Sequence, residues 1–266
     1  REEGIDVDRR ILTDSWINQD EYYSLSIDDI PLGAMHNTAE EIRPGKTEAG
    51  GEFYTSTAHL KIDAMFFRAR VILSAKLNRR LELEAGRLRA HLPGLGTPLY
   101  TPEELDGEVL PAGAYEAAVL VEGQTLHFRL RRDDAVQFRQ MRLAQPVTMT
   151  DSIAPILRGE MMTLGQTYTV DVYEPLWGGS AGQVQVEWVD EEILEDEEGV
   201  EHTHREVELR FKNITTRLLV DPTGKVVRRE IPLFAGSGTE ASGQALGGTN
   251  LVMELLDANE ALAEHP

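Results

Sequence analysis

The sequence predicts a mainly β protein, a large antiparallel sheet or unclosed barrel with one short central helix (about 151–163) and a short C-terminal helical turn. Three observations predict it. Apolar side chains recur at every second residue from Trp16 onward, the period of a strand with one buried face. The positions between them are polar or charged, as where Val207, Leu209 and Phe211 alternate with Glu206, Glu208, Arg210 and Lys212, the mark of an antiparallel sheet with one wet face. Turn signals separate the runs; in the strongest, Asp221-Pro222-Thr223-Gly224, proline and glycine stand where a type I turn prefers them. The alternating runs number about 12 to 14.

Residues 1–15 are charged and aperiodic and read as a tail. Residues 16–264 read as a single β-rich domain, divisible at most into β halves 16–148 and 149–264. Leu60, Ile62, Ala64 and Phe66 form one alternating set; the parity then slips to Phe67, Ala69, Val71, Leu73, Ala75 and Leu77, so a bulge or corner is expected near Met65–Arg68. Asn78-Arg79 turns the chain into Leu81, Leu83 and Ala85. A competing reading makes 68–90 a helix, because Ala, Leu, Arg and Glu favour one. Residues 93–114, rich in proline and glycine, form a loop with one helical turn at Pro102-Glu103-Glu104-Leu105. Tyr115, Ala117, Val119 and Val121 lead through Glu122-Gly123-Gln124 to Leu126, Phe128 and Leu130, a three-residue bulged hairpin. The central helix starts at Asp151 or Ser152 and carries Ile153, Ile156, Leu157 and Met161 on one face. Strands then resume at Tyr168–Val172, Val184–Trp188 and Val207–Phe211. Residues 235–249 read as a flexible loop, Leu251–Leu256 as a last strand, and 259–263 as the terminal helical turn.

The chain has 266 residues with 26 Lys+Arg against 46 Asp+Glu, a net charge of −20. That balance repels a phosphate backbone, so no nucleic-acid partner is expected. The absence of cysteine removes disulfides, zinc–thiolate and iron–sulfur sites and thiol nucleophiles together. No apolar run approaches 18 residues, so no transmembrane segment is expected.

Little in the sequence nominates a reaction. His202 and His204 share a strand face, with the acidic run Glu191–Glu198 across the hairpin, yet a solvated face and an edge-protecting tip explain both better than metal binding. No Gly-x-Ser-x-Gly elbow occurs, and Gly178–Gly182 lacks the Gly-Lys-Ser/Thr ending of a phosphate loop. No cofactor, metal or catalytic residue is assigned. The candidate ligand-binding residues are the large apolar groups Phe66, Phe67, Phe128, Met161, Met162, Tyr173, Trp177 and Trp188, which would line a groove between a curved sheet and the central helix. The competing reading is that they fill the core.

The segments Trp16-(x5)-Tyr22-Tyr23-(x)-Leu25-(x)-Ile27-(x4)-Leu32-Gly33, Leu164–Leu176, Thr215–Glu230 and Asn250–Leu262 resemble a group of bacterial extracytoplasmic β-sheet domains. These include the domain preceding the core of transglutaminase-like proteins and the unclosed barrels of lipoprotein carriers. The resemblance implies a large antiparallel sheet and a location in the periplasm or cell envelope; it carries over no catalytic residue. Asp28-Asp29 stands where that pattern has a glycine. The expected function is therefore non-enzymatic: an accessory subunit that meets a protein partner in the envelope through a sheet edge or apolar patch. The alternatives are a periplasmic carrier of a lipid or other hydrophobic ligand, and a detached N-terminal domain of a transglutaminase-like protein.

Overall fold

The computed structural model describes residues 19–42, 53–64, 67–94, 97–149, 163–174, 180–195, 199–212, 214–232 and 250–256. The expected central helix at 151–163, apart from Thr163, the loop at 235–249 and the terminal turn at 259–263 lie outside the described residues.

The fold is mainly β, as the periodicity requires, and is one large sheet not closed into a barrel. The first meander comprises β1 (Gln19–Ile27), β2 (Ile30–Ile42), β3 (Phe53–Ala64), β4 (Phe67–Leu77) and β5 (Leu83–His91), then β6 (Ala114–Glu122), β7 (Thr125–Arg132) and β8 (Ala135–Arg142). A second set comprises β9 (Thr148–Met149), β10 (Thr167–Glu174), β11 (Ser180–Glu195), β12 (Glu201–Phe211), β13 (Ile214–Val220), β14 (Val226–Pro232) and β15 (Asn250–Leu255). All fifteen join in the order β8-β7-β6-β5-β4-β3-β2-β1-β15-β14-β13-β12-β11-β10-β9. Every pairing is antiparallel except the short β9–β10 contact. The strand count exceeds the expected range because β8 shows little alternation and β9 is two residues long.

Several local expectations are refined. The parity slip after Ala64 is a hairpin corner: Ala64 pairs with Phe67, and a two-residue connection brings even positions of one strand and odd positions of the next to the same face. Residues 68–90 are strands rather than a helix, since cross-strand burial overrides helix propensity. Leu81 belongs to the turn, with φ of 58°, and β5 starts at Leu83. The hairpin after Val121 is tighter than expected, for Glu122 pairs with Thr125. Its two-residue loop is Gly123-Gln124, with Gly123 at φ 60°. Asp28-Asp29 takes the conformation for which glycine is the usual choice: both residues have positive φ, 48° and 64°, between the paired Ile27 and Ile30. That is the backbone of a primed hairpin turn, which aspartate tolerates better than most side chains. The turn at Asp221–Gly224 closes through Gly224 N–H to the Asp221 carbonyl at 2.9 Å.

The helix α1 (Pro102–Asp106) is the expected turn in the 93–114 loop, started by a reciprocal capping box between Thr101 and Glu104. Its Leu105 is fully buried against Ile72, Leu110 and Ala114 on the outer face of β4–β6.

The opposite face carries the main cores. Val184, Val186, Val207, Leu209 and Leu218 pack on β10–β13 with Tyr168 and Val172. A second core joins Tyr54, Ala75, Leu77, Val119 and Leu126 of the first meander to Val147, Met149 and Tyr173. Val172 and Tyr173 are adjacent in a strand and so point to opposite faces, yet both are buried, at 0% and 1% exposure. The β9–β10 end of the sheet is thus tucked against the apolar face of the first meander. The Leu83 N–H donates to the Val147 carbonyl at 2.7 Å, and the Thr148 hydroxyl to the Leu81 carbonyl at 2.5 Å.

Close approach of β2 and β3 requires glycine at Gly33, where a Cβ would sit 1.9 Å from the Lys61 carbonyl oxygen. Gly33→Ala is expected to cost about 2–4 kcal/mol, since backbone must move. Gly94→Ala, with nothing within 4 Å of the added carbon, is expected to change stability by less than about 0.5 kcal/mol. Urea denaturation midpoints of the two variants check the contrast.

Candidate functional site

The two ends of the sheet differ. At one end β9 is covered, as described above. At the other, among the described residues, β8 pairs with β7 alone, and every residue from Ala135 to Gln140 is exposed. A strand in this position presents a row of unpaired N–H and C=O groups to a possible partner. Its central Phe138 is 74% exposed, and Val136 on the same face is 44% exposed. Leu120 of β6 lies on that face too, and a shallow open depression runs among Leu120, His127, Arg129, Phe138 and Gln140.

The edge is also cationic. Between Thr125 and Arg142 the chain carries five arginines against two aspartates, a local balance of +3 in a protein of −20. Arg129 pairs with Glu116 at 2.6 Å, and Arg132 stacks over Tyr115 and lies 4.0 Å from Asp133. Arg131 donates to the Asp133 carbonyl. Among the described residues, Arg131, Arg139 and Arg142 meet no carboxylate.

Beneath this face the buried polar groups hold structure. Arg89 is 4% and Glu116 3% exposed. The Arg89 Nε donates to Glu116 at 2.8 Å, and its Nη1 donates to the carbonyls of Leu105, at 2.9 Å, and Gly107. One guanidinium thereby satisfies the carbonyls left open at the end of α1 and neutralises a buried carboxylate. Burial by itself would raise the Glu116 carboxyl; hydrogen bonds and charge from Arg89 and Arg129 outweigh it and hold the group below its usual range. His91, also buried, accepts from the Tyr100 N–H at 3.3 Å through Nδ1; burial pushes its pKa down.

Register joins residues that sequence spacing leaves apart. His36 and His59 are directly opposite on β2 and β3, with ring centres 6.3 Å apart. His36 stacks on Tyr22 and meets Asp20 at 2.7 Å. The described residues contain no cluster of three or more groups able to hold a metal, and His202 and His204 stand opposite Leu194 and Glu192.

The candidate apolar residues separate. Tyr173 is in the core and Phe128 at its margin. Trp188 borders the other core, with Arg205 over its ring at 4.6 Å and its indole N–H on the Asp190 carbonyl. Phe67 is half-exposed at the start of β4. Phe66, Met161, Met162 and Trp177 lie outside the described residues. Sequence reading missed Phe138 and the arginines around it, and the one available signal was the local reversal of charge.

No protein-family model matches the chain, and no curated protein matches it. A crystal structure of a DUF1089 family protein from Pseudomonas aeruginosa is similar over 72% of this chain and 87% of that one, with 11% identity and a TM-score of 0.34. A likeness that distant carries no argument here. Among the described residues no helix is long and apolar enough to cross a membrane.

Replacing Glu116 by Leu leaves the Arg89 charge buried without its partner, an expected loss of about 3–5 kcal/mol. Because the folded-state pKa of Glu116 is depressed, its contribution is fully present above the unfolded value of 4.5 and is lost as pH falls through the folded value. Urea midpoints from pH 7 to pH 3 should fall less steeply in Glu116→Gln than in the parent protein.

Proposed function

We propose that this is a non-enzymatic interaction protein of the bacterial envelope whose β8 edge receives an extended segment of a protein partner. One observation carries the reading: an uncovered edge strand with Phe138 three-quarters exposed at its centre. An edge that needed only protection from aggregation would be served by charge alone, whereas an exposed aromatic on an open ladder favours association. Strand addition supplies main-chain hydrogen bonds, and the side chains at alternate positions set specificity. The free arginines favour a segment with carboxylates. The net charge of −20 disfavours acidic partners only as an average, since beyond about 8 Å at physiological salt the distant charges are screened. The envelope location rests on the lack of cysteine and on the strand-and-turn resemblance described above.

A second reading is a hydrophobic-ligand carrier. It is favoured by the half-buried Leu32, Met35, Leu60, Ile62, Ile231, Leu251 and Leu255, which surround Tyr23, Leu25 and Met253 on the apolar face.

A fluorescein-labelled heptapeptide alternating Glu and Leu is expected to raise its anisotropy on binding the protein. Phe138→Lys should weaken that binding about tenfold, a loss of about 1.4 kcal/mol. Leu164→Lys, at another exposed apolar residue, should leave it unchanged; equal loss in both variants counts against the edge. The carrier reading predicts lipid in native mass spectra of the purified protein, with Ile62→Glu abolishing it, and lipid-free spectra of the parent protein exclude it.

A further inference from the structure

A second unflanked element lies near the far end of the same sheet. The β10 ladder on β11 ends at Thr167↔Glu187, and the β13 ladder on β12 ends at Arg205↔Val220. Beyond those points, among the described residues, β11 and β12 pair only with each other, as far as Glu195↔Glu201. The Trp188 and Asp190 carbonyls are taken by the Gly165 N–H and the Trp188 indole, and the Glu191 N–H by the Asp190 carboxylate at 2.8 Å, so the free ribbon edge begins past the Glu191 N–H. From there to Glu195 it extends about 17 Å at the usual strand rise. A two-stranded ribbon is marginal by itself and gains from a third strand.

Its chemistry is the converse of β8. Glu191, Glu192 and Glu195 are exposed and meet no cation among the described residues. Ile193 between them is 64% exposed. In an antiparallel register with Ile193 opposite Phe138, Glu192 falls opposite Arg139 and Glu191 lies diagonal to Arg142. Opposite charges and apolar pairs at these positions stabilise a sheet. One molecule carries both partners of this ladder, at different places on its surface.

We propose that the occupant of the β8 edge is the β11–β12 ribbon of a second copy of this chain, which rests on the reading of β8 as a docking edge. The contact is head-to-tail, so it generates rings or open chains of protomers rather than a symmetric dimer. The net charge of −20 sets its salt dependence. At very low salt whole-molecule repulsion opposes association; near 0.15 M the Debye length is about 8 Å and the contact pairs survive; at 1 M, about 3 Å, they are screened.

Sedimentation velocity of the full chain at 0.15 M salt is expected to show oligomers that grow with concentration, with the apparent Kd about tenfold weaker at 1 M. Arg139→Glu/Arg142→Glu and Glu191→Arg/Glu192→Arg should each be monomeric alone, with unchanged circular dichroism. An equimolar mixture of the two should assemble, because each arm then faces an edge of opposite sign. Assembly that survives both charge reversals overturns the proposal, and so does a mixture that stays monomeric. A parent protein that is monomeric yet binds the Glu–Leu heptapeptide at Phe138 overturns the second copy as occupant and leaves the edge reading standing; one that is monomeric and binds no peptide ends both.

Discussion

The ladder between β1 and β15 is the constraint on which the rest of the architecture depends. It runs from Tyr23↔Leu255 to Ile27↔Leu251 and is extended by the Leu256 N–H on the Tyr22 carbonyl. On one side β1 to β8 follow in chain order, and on the other β15 to β9 run backwards. Only here do the first and last described strands meet, closing a loop of over two hundred residues. Its side chains supply the compensation: Tyr23, Leu25 and Met253 form a buried cluster at the join, so apolar burial offsets the entropy of bringing distant segments together.

A sheet that grows outward from one seam must end twice, and each end has to deal with its unpaired backbone. The β9 end does so by folding under. Tyr173 and Met149 join the core of the first meander, the Leu81 carbonyl before β5 accepts from the Thr148 hydroxyl, and the Leu83 N–H at the start of β5 donates to the Val147 carbonyl. This fold-under uses up the apolar face beneath β3–β7, so the β8 end has nothing similar to dock on. The exposure of β8 follows from the burial of β9, and the difference between the ends is a property of an unclosed sheet rather than of β8 alone.

The sequence revealed strands wherever one face is buried. Val184, Val186 and Trp188 alternate because core lies on one side and water on the other, and the same holds for Val207, Leu209 and Phe211. It concealed β8 for the same reason: a strand wet on both faces has no cause to alternate, and the pattern Val136, Phe138 breaks at Gln140-Met141. The Arg89–Glu116–Arg129 group was equally hidden. Its members are 27 and 13 residues apart, and only the strand register shows that a buried Arg89 and an exposed Arg129 share one buried carboxylate. The turn at Asp28-Asp29 was masked by its chemistry, since two carboxylates occupy backbone angles usually signalled by glycine.

Net charge misleads most when charge is segregated along a fold. The value of −20 describes how two molecules meet at long range, where screening leaves little of it; contact energies are set over a few ångströms by whichever side chains face one another. The sheet separates the two signs by its length: arginines gather on the β7–β8 hairpin, and carboxylates on the ribbon beyond Asp190. The strand order keeps the two from meeting within one molecule by simple pairing, because six ladders, the β1–β15 seam and three further ladders lie between β7 and the β11–β12 ribbon. A charge left unpaired for topological reasons remains available for recognition. In this chain that availability coincides, at both places, with an exposed apolar side chain and an open backbone edge.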